Sequence, residues 1–391
     1  MPMSESGEQD MKVIISTELI RFPLTGIGRY TFELVRALQQ SQEVDALKML
    51  GLTKMIEHLP SAAPVAQTSH KMKRWVQKSA FAMEAYRHIV PWLKSRALRP
   101  YQDHLYHSTN FFLPSFDGPK VATFHDLSPF TWPQCHDPAK LDYLQKSLQQ
   151  TLARADRLIT DSEYTRQEIA QYFGWPLERI HAVPLASSKE FYPRHEQELT
   201  GFFQSYGLSW QGYSLYVGTI EPRKNLEVLL EAYRALSLQQ RQRWPLVLAG
   251  YHGWRSEPIH AKIKKAQQEG WVRYLGFVAA EDLPKLYAGA RLFTFPSSYE
   301  GFGLPVLEAM SSGIPVVCSD SSSLPEVTGE AALMIAPEET QGLTELLQQG
   351  LEDEQWREHA VQRGLQQAQQ FSWARCATET LAVYRRLMEE Q

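Results

Sequence analysis

Short apolar runs alternate with segments of helical period along this chain, and that rhythm predicts its architecture. Residues 11–16 read MKVIIS, a buried strand, and after the glycines of TGIG at 25–28 the apolar positions of residues 29–38 recur at helical spacing. Further strands are expected at 121–124, 157–160 and 180–183, with Ser162 as the N-cap of a helix over 163–173. The pattern loosens from Lys189 to Gly212 around Pro193 and restarts at Tyr213 to Val217. Strands at 246–249, 272–275, 291–295 and 316–319 follow, with helices between them. Strands alternating with helices predict parallel sheets covered on both faces. The expected fold class is therefore α/β, with two doubly wound domains and a ligand-binding cleft between them. We place the N-terminal domain over 11–195 and the C-terminal domain over 205–370. An amphipathic helix within 372–391 has no strand after it and is free to pack back on the first domain, and 1–10 reads as a polar, disordered lead-in.

One strand end carries much of the chemistry. The run Arg291 to Phe295 empties into PSSYEGFGLPVLE at 296–308. Gly301 and Gly303 permit a sharp turn and close backbone approach, and Pro305 suits the first helical position, so a helix is expected to start near Leu304. Its first amides lack intrahelical acceptors and its dipole is positive there, so Gly301, Phe302, Gly303 and Leu304 frame an anion site. Glu300 and Glu308 stand at the edges of that site. A carboxylate accepts hydrogen bonds from sugar hydroxyls and repels phosphate, so the combination suits a sugar nucleotide. A plain strand-loop-helix joint would carry the same residues.

A second strand, Tyr213 to Val217, runs into GTIEPRKN at 218–225. Arg223 and Lys224 there precede a helix, where cations oppose the dipole; their placement points to neutralising a leaving diphosphate, although two solvated residues in a turn would look the same. His125 and Asp126 end the strand at 121–124. A histidine there could face a transferred sugar or an acceptor hydroxyl, although a loop histidine capped by its neighbour would look the same.

Composition narrows the classes. A chain of 391 residues with 43% hydrophobic content exceeds one ordinary core. With 40 basic and 44 acidic residues there is no basic field for nucleic acid. Cys135, Cys318 and Cys376 lie far apart with no CxxC pair, which fits a reduced compartment and offers no metal site. The N-terminus lacks signal-peptide regions, and no apolar run approaches the roughly 20 residues that span a bilayer, so a cytoplasmic protein is expected. Residues 71–99 differ. Lys71, Lys73, Arg74, Lys78, Arg87, Lys94, Arg96 and Arg99 face the single acid Glu84, interleaved with Trp75, Phe81, Tyr86 and Trp92. This segment reads either as a surface for an anionic membrane or a lipid diphosphate, or as a solvated helical face with ordinary core aromatics.

Together these motifs resemble the retaining glycosyltransferases of family four, whose GT-B fold sets two Rossmann-like domains face to face. EGFGLPVLEAM at 300–310 and VGTIEPRKNL at 217–226 carry the resemblance, supported by TGIGRY at 25–30, FHD at 124–126 and ADRLITDSEYT at 155–165. It implies that Arg223 and Lys224 bind the donor diphosphate, Glu308 the ribose hydroxyls, and Glu300 with the amides of 301–304 the donor sugar and phosphate. Gly26 and Gly28 would let the first loop close over the phosphates, and His125 would contact the transferred sugar. No Asp-x-Asp triplet occurs, which agrees with a fold that needs no bound metal or other cofactor. Among relatives the chain looks most like bacterial mannosyltransferases that build O-antigen or exopolysaccharide from GDP-mannose, with the growing glycan held on a polyprenyl diphosphate at the inner membrane face. The residues themselves do not select guanine over uracil. A UDP-sugar-dependent transferase, a catalytically silent scaffold of the same fold and a soluble disaccharide phosphorylase or synthase are the alternatives.

Overall fold

Apolar tetrapeptides and pentapeptides become strands because both faces of a parallel sheet are covered by helices. The computed structural model describes residues 10–24, 26–60 and 80–390, without the side chains of 80–88. The lead-in at 1–9 and the basic stretch at 71–79 lie outside the described residues. The first half holds β1 (Lys12–Ser16), β2 (Ala46–Leu50), β3 (Met55–Ile56), β4 (Leu105–Ser108), β5 (Lys120–Phe124), β6 (Arg157–Thr160) and β7 (Ile180–Ala182). The second half holds β8 (Ser214–Val217), β9 (Leu246–Ala249), β10 (Val272–Gly276), β11 (Leu292–Phe295), β12 (Val316–Ser319) and β13 (Ala332–Ile335).

The first sheet has the order β3-β2-β1-β4-β5-β6-β7 and the second β10-β9-β8-β11-β12-β13. Every pairing is parallel except β3 on β2. Each sheet therefore reverses its winding once, between β1 and β4 in the first and between β8 and β11 in the second. Ligands bind at such points, outside the carboxyl ends of the strands.

Core packing follows the alternation of each strand. Ile14, Tyr106 and Phe124 point to one face of the first sheet, against Leu98, Leu148, Leu152 and Ile169. Val13 and Ile15 point to the other, against Leu34, Val35 and Leu38 of the helix Gly26–Gln40. The final helix, Trp373–Glu389, is capped by Ser372, whose Oγ accepts from the Arg375 amide at 3.1 Å. Its stripe of Cys376, Leu381, Tyr384 and Leu387 is buried, the helix lies on Gly26–Gln40, and the Tyr384 hydroxyl meets His107 Nδ1 at 2.6 Å. Burial takes that imidazole down to about 3, so it is neutral.

The strands β2, β3, β4 and β13 are not expected from the sequence, and two further details differ. The stretch 189–212 contains a short helix, Thr200–Tyr206, with Phe202 and Phe203 in the core. Pro305 occupies the second position of the helix Leu304–Ser311, because Leu304 already has helical geometry. No helix among the described residues is long and apolar enough to cross a membrane.

Candidate active site

The turn after β8 folds as a short 3-10 helix, Pro222–Lys224, ended by Asn225 at a φ of 57°. That geometry turns both cations toward the loop after β11. Lys224 Nζ lies 2.6 Å from Glu300 Oε1, and the two side chains are each 10% exposed. Arg223 donates to the Tyr299 carbonyl at 3.0 Å and to Glu221 Oε1 at 3.0 Å, with Glu300 and Asp126 carboxylates each 3.8 Å away. Burial alone would raise the Glu300 carboxyl, but the charges of Lys224 and Arg223 outweigh it and hold the group below its ordinary range. Burial likewise works against the Arg223 charge and is outweighed by Glu300, Asp126 and Glu221. An ammonium has three donors, so Lys224 retains two for an incoming anion while bound to Glu300.

The glycine loop is latched from beside it by serines. Glu300 N donates to Ser322 Oγ at 2.9 Å, and Ser323 Oγ reaches the carbonyls of Glu300 and Phe302 at 3.0 and 2.8 Å. Gly303 has a φ of 111°, and the first intrahelical bonds run from Val306 and Leu307 to its carbonyl. The amides of Gly303 and Leu304 thus stand outside the helical ladder at the positive end of the dipole.

Gly301 is required for another reason. A Cβ there would sit 1.8 Å from the His125 carbonyl, so the two domains touch at this glycine. The Gly301 carbonyl accepts from Ser162 Oγ at 2.7 Å, Tyr299 accepts from the Leu127 amide at 2.9 Å and donates to Glu168 at 2.5 Å, and Glu326 accepts from the amides of Glu163 and Tyr164 at 2.8 and 2.6 Å. The His125 ring is held within its own domain. Its Nδ1 meets Asp161 Oδ2 at 2.7 Å and its Nε2 donates to the Thr109 carbonyl at 3.0 Å. Burial lowers the affinity of this imidazole for its proton, and the charge of Asp161 more than restores it. Both ring nitrogens have partners within the first domain, and the His125 carbonyl oxygen meets Gly301 of the other.

A cavity of ≈ 600 Å³ opens between the domains over the carboxyl ends of β8 and β9; it meets the glycine loop at Leu304, while Arg223, Lys224, Glu300, Gly301 and His125 are not among the residues that line it. Gly26, Leu304 and Glu308 line it as the sequence suggested. Gly26 has a φ of 44°, whereas Gly28 packs against the Leu19 carbonyl, which a Cβ would approach to 2.6 Å. Burial pushes the Glu308 carboxyl up to about 7, opposed by the Tyr287 hydroxyl and Arg29. Sequence reasoning missed Arg29 and the stacked rings of Tyr251 and Phe277, 4.9 Å apart at the cavity wall. Each aromatic follows a strand end, which is the signal that could have found them. Among the described residues no group of three His, Cys, Asp or Glu is placed to hold a metal ion.

The chain matches known families on both sides of this cavity. Residues 24–186 match the model of Glycosyltransferase Family 4, and residues 204–367 that of Glycosyl transferases group 1. O-antigen chain mannosyltransferase B of Escherichia coli is 44% identical over 381 residues, covering 96% of this chain and all, 100%, of that one. The serotype-specific mannosyltransferase WbdA of Escherichia coli is 30% identical over 339 residues, 80% of this chain and 41% of that protein. Among solved structures, a sucrose-phosphate synthase from Thermosynechococcus elongatus shares the fold at a TM-score of 0.71 and 20% identity, over 97% of this chain and 100% of that one.

Proposed function

The chain belongs to glycosyltransferase family 4, with the GT-B fold, and from that premise we propose that it transfers mannose from GDP-mannose to a cell-surface glycan of the O-antigen or exopolysaccharide class. The observation that carries the reading is the convergence of Arg223, Lys224, Glu300 and the amides before Leu304 beside a cavity walled by Glu308 and by both domains. Cations and helix amides suit the diphosphate, Glu308 the ribose diol, and Glu300 the hydroxyls of the transferred sugar. The 44% identity to an O-antigen chain mannosyltransferase supports mannose as the sugar.

In this reading transfer is retaining. The bond from the anomeric carbon to the diphosphate oxygen breaks ahead of attack, and the electron pair leaves with the phosphate, whose charge Arg223, Lys224 and the helix N-terminus stabilise. An acceptor hydroxyl oxygen bonds to the same face of that carbon and passes its proton to the departing phosphate oxygen. No protein nucleophile is needed, and closure of the domains would keep water from the donor. Because the protein's own cations meet the leaving group, EDTA should leave turnover within about twofold.

A polyprenyl diphosphate carrier at the cytoplasmic membrane face completes the proposal. Support comes from the helix Ala80–Leu98, where Ile89 and Trp92 are 53% and 57% exposed and Arg96 lies over the Trp92 ring at 5.8 Å. Titration calorimetry against GDP, UDP and ADP, repeated with Lys224→Ala, tests the donor. Selective GDP binding that the substitution abolishes is expected. Preference for UDP would replace mannose from GDP-mannose with a UDP-sugar, and absence of binding to all three would leave a scaffold.

A further inference from the structure

A second cavity, of ≈ 240 Å³, lies on the first domain, at the point where its own sheet reverses winding. Glu18 and Leu19 in its wall follow β1, and Asn110 and Phe112 follow β4. Doubly wound sheets bind ligands at this crevice, and in the second domain the equivalent place holds the donor-site residues. The segment 18–24 divides the two cavities: Glu18, Leu19 and Arg21 border this one, Pro23 and Leu24 the donor cavity.

The walls suit a neutral polyhydroxylated ring. Lys94 Nζ lies 2.6 Å from Glu18 Oε2, the side chains being 6% and 11% exposed. A buried ion pair is a poor stabiliser in itself, and here both charges border open space where a carboxylate can accept hydroxyl protons and an ammonium can donate. Lys94 is paired with Glu18, and Arg21 and Arg154 also line the wall, so an anion is the competing occupant that the test must separate from a sugar. Asn110 Oδ1 accepts from the Phe112 amide at 2.8 Å, leaving the amide nitrogen of its side chain as a donor. Phe112 and Tyr143 stack with centroids 5.8 Å apart and planes 25° from parallel, adding the apolar surface typical of small-molecule sites.

We propose that this cavity is a saccharide subsite holding an internal sugar of the acceptor chain, so that the enzyme reads its acceptor beyond the residue that receives the new sugar. A ring seated behind segment 18–24 is separated from the donor cavity, which is why an internal residue is assigned. The inference rests on the glycosyl-transfer reading above.

Methyl α-mannoside, α-mannobiose and α-mannotriose serve as acceptor probes with GDP-mannose, for the unmodified protein, Phe112→Ala and Glu18→Gln. The expected result is a gain in kcat/KM of about tenfold or more from the monosaccharide to the longer probes, lost in both variants, with the KM for GDP-mannose within about twofold. Absence of a gain with length, or a gain kept by both variants, overturns the subsite. So does inorganic pyrophosphate displacing the trisaccharide, which would assign the cavity to an anion. If GDP-mannose supports no transfer, the proposed donor fails, and calorimetry with α-mannotriose alone still decides: binding weakened about tenfold by Phe112→Ala supports the subsite, and equal or absent binding overturns it.

Discussion

Glu308 illustrates how burial sets a carboxyl to a task. Its value of about 7, against an ordinary 4.5, makes it neutral in mildly acidic solution and ionised above neutrality. A ribose diol donates two hydrogen bonds, which the carboxylate accepts best. GDP affinity should therefore strengthen from pH 6 to pH 8 in calorimetric titrations, and Glu308→Gln should flatten the profile; a flat profile in the unmodified protein would sink the assignment. The stability sign is opposite. A folded-state value above the unfolded one favours folding where the group is protonated, and that contribution is lost as pH rises from about 4.5 through about 7. Lys224 makes the second residue-scale case. Lys224→Ala removes a donor aimed at developing phosphate charge, so kcat should fall about a hundredfold, and turnover within about threefold would reject the role. The change also strands Glu300, a loss that can reach roughly 3–5 kcal/mol when one partner of a buried pair is removed. Lys224→Ala combined with Glu300→Gln checks the stability part: removing the stranded carboxylate should recover the lost stability.

The donor loop is an element whose sequence announced its turn but not its latch. Gly301, Gly303 and Leu304 were legible from backbone rules, and so was the N-cap role of Ser162, whose Oγ accepts from the Thr165 amide at 3.1 Å. The serines at 319–323 that hold the loop were not, because hydrogen bonds between distant turns leave no periodic trace. The same limit explains the unanticipated strands β2, β4 and β13, and the two-residue β3 is too short to leave a pattern. β4 ends in His107 and Ser108, which are buried only because Tyr384, Thr123 and the Phe112 carbonyl satisfy them. β2 carries Lys48 and β13 is only partly buried, so neither reads as a core strand from local pattern. For His125 position was readable and orientation was not, since its partners Thr109 and Asp161 lie on other strand ends. Gly301→Ala tests the element directly. Its Cβ would strike the His125 carbonyl and hold the domains apart, so kcat should fall by more than about a hundredfold while melting temperature changes little. Activity within about threefold would show that the contact is dispensable.

Across the whole molecule, the two halves are clasped by a small set of contacts between the loops at their strand ends. The carboxylate of Glu326, on the second domain, adds to the Ser162 cap of the helix Glu163–Phe173 on the first by accepting from the amides of Glu163 and Tyr164. Ser162 and Tyr299 add their bonds alongside, so the clasp lies on the same side as the contact of Gly301 with His125. A cap contributes about 1 kcal/mol, and here that energy exists only when the domains are together, so it biases the open-closed equilibrium about fivefold. Glu326→Ala should therefore raise the KM for donor by about fivefold and increase the radius of gyration seen in solution scattering, with the chemical step in the closed state unaffected. A saturating nucleotide selects the closed form and should restore the scattering profile. Substitution that leaves both KM and scattering unchanged would mean that Ser162, Tyr299 and Gly301 hold the halves without it, and would move the search for the closure determinant to the bond between Tyr299 and Glu168.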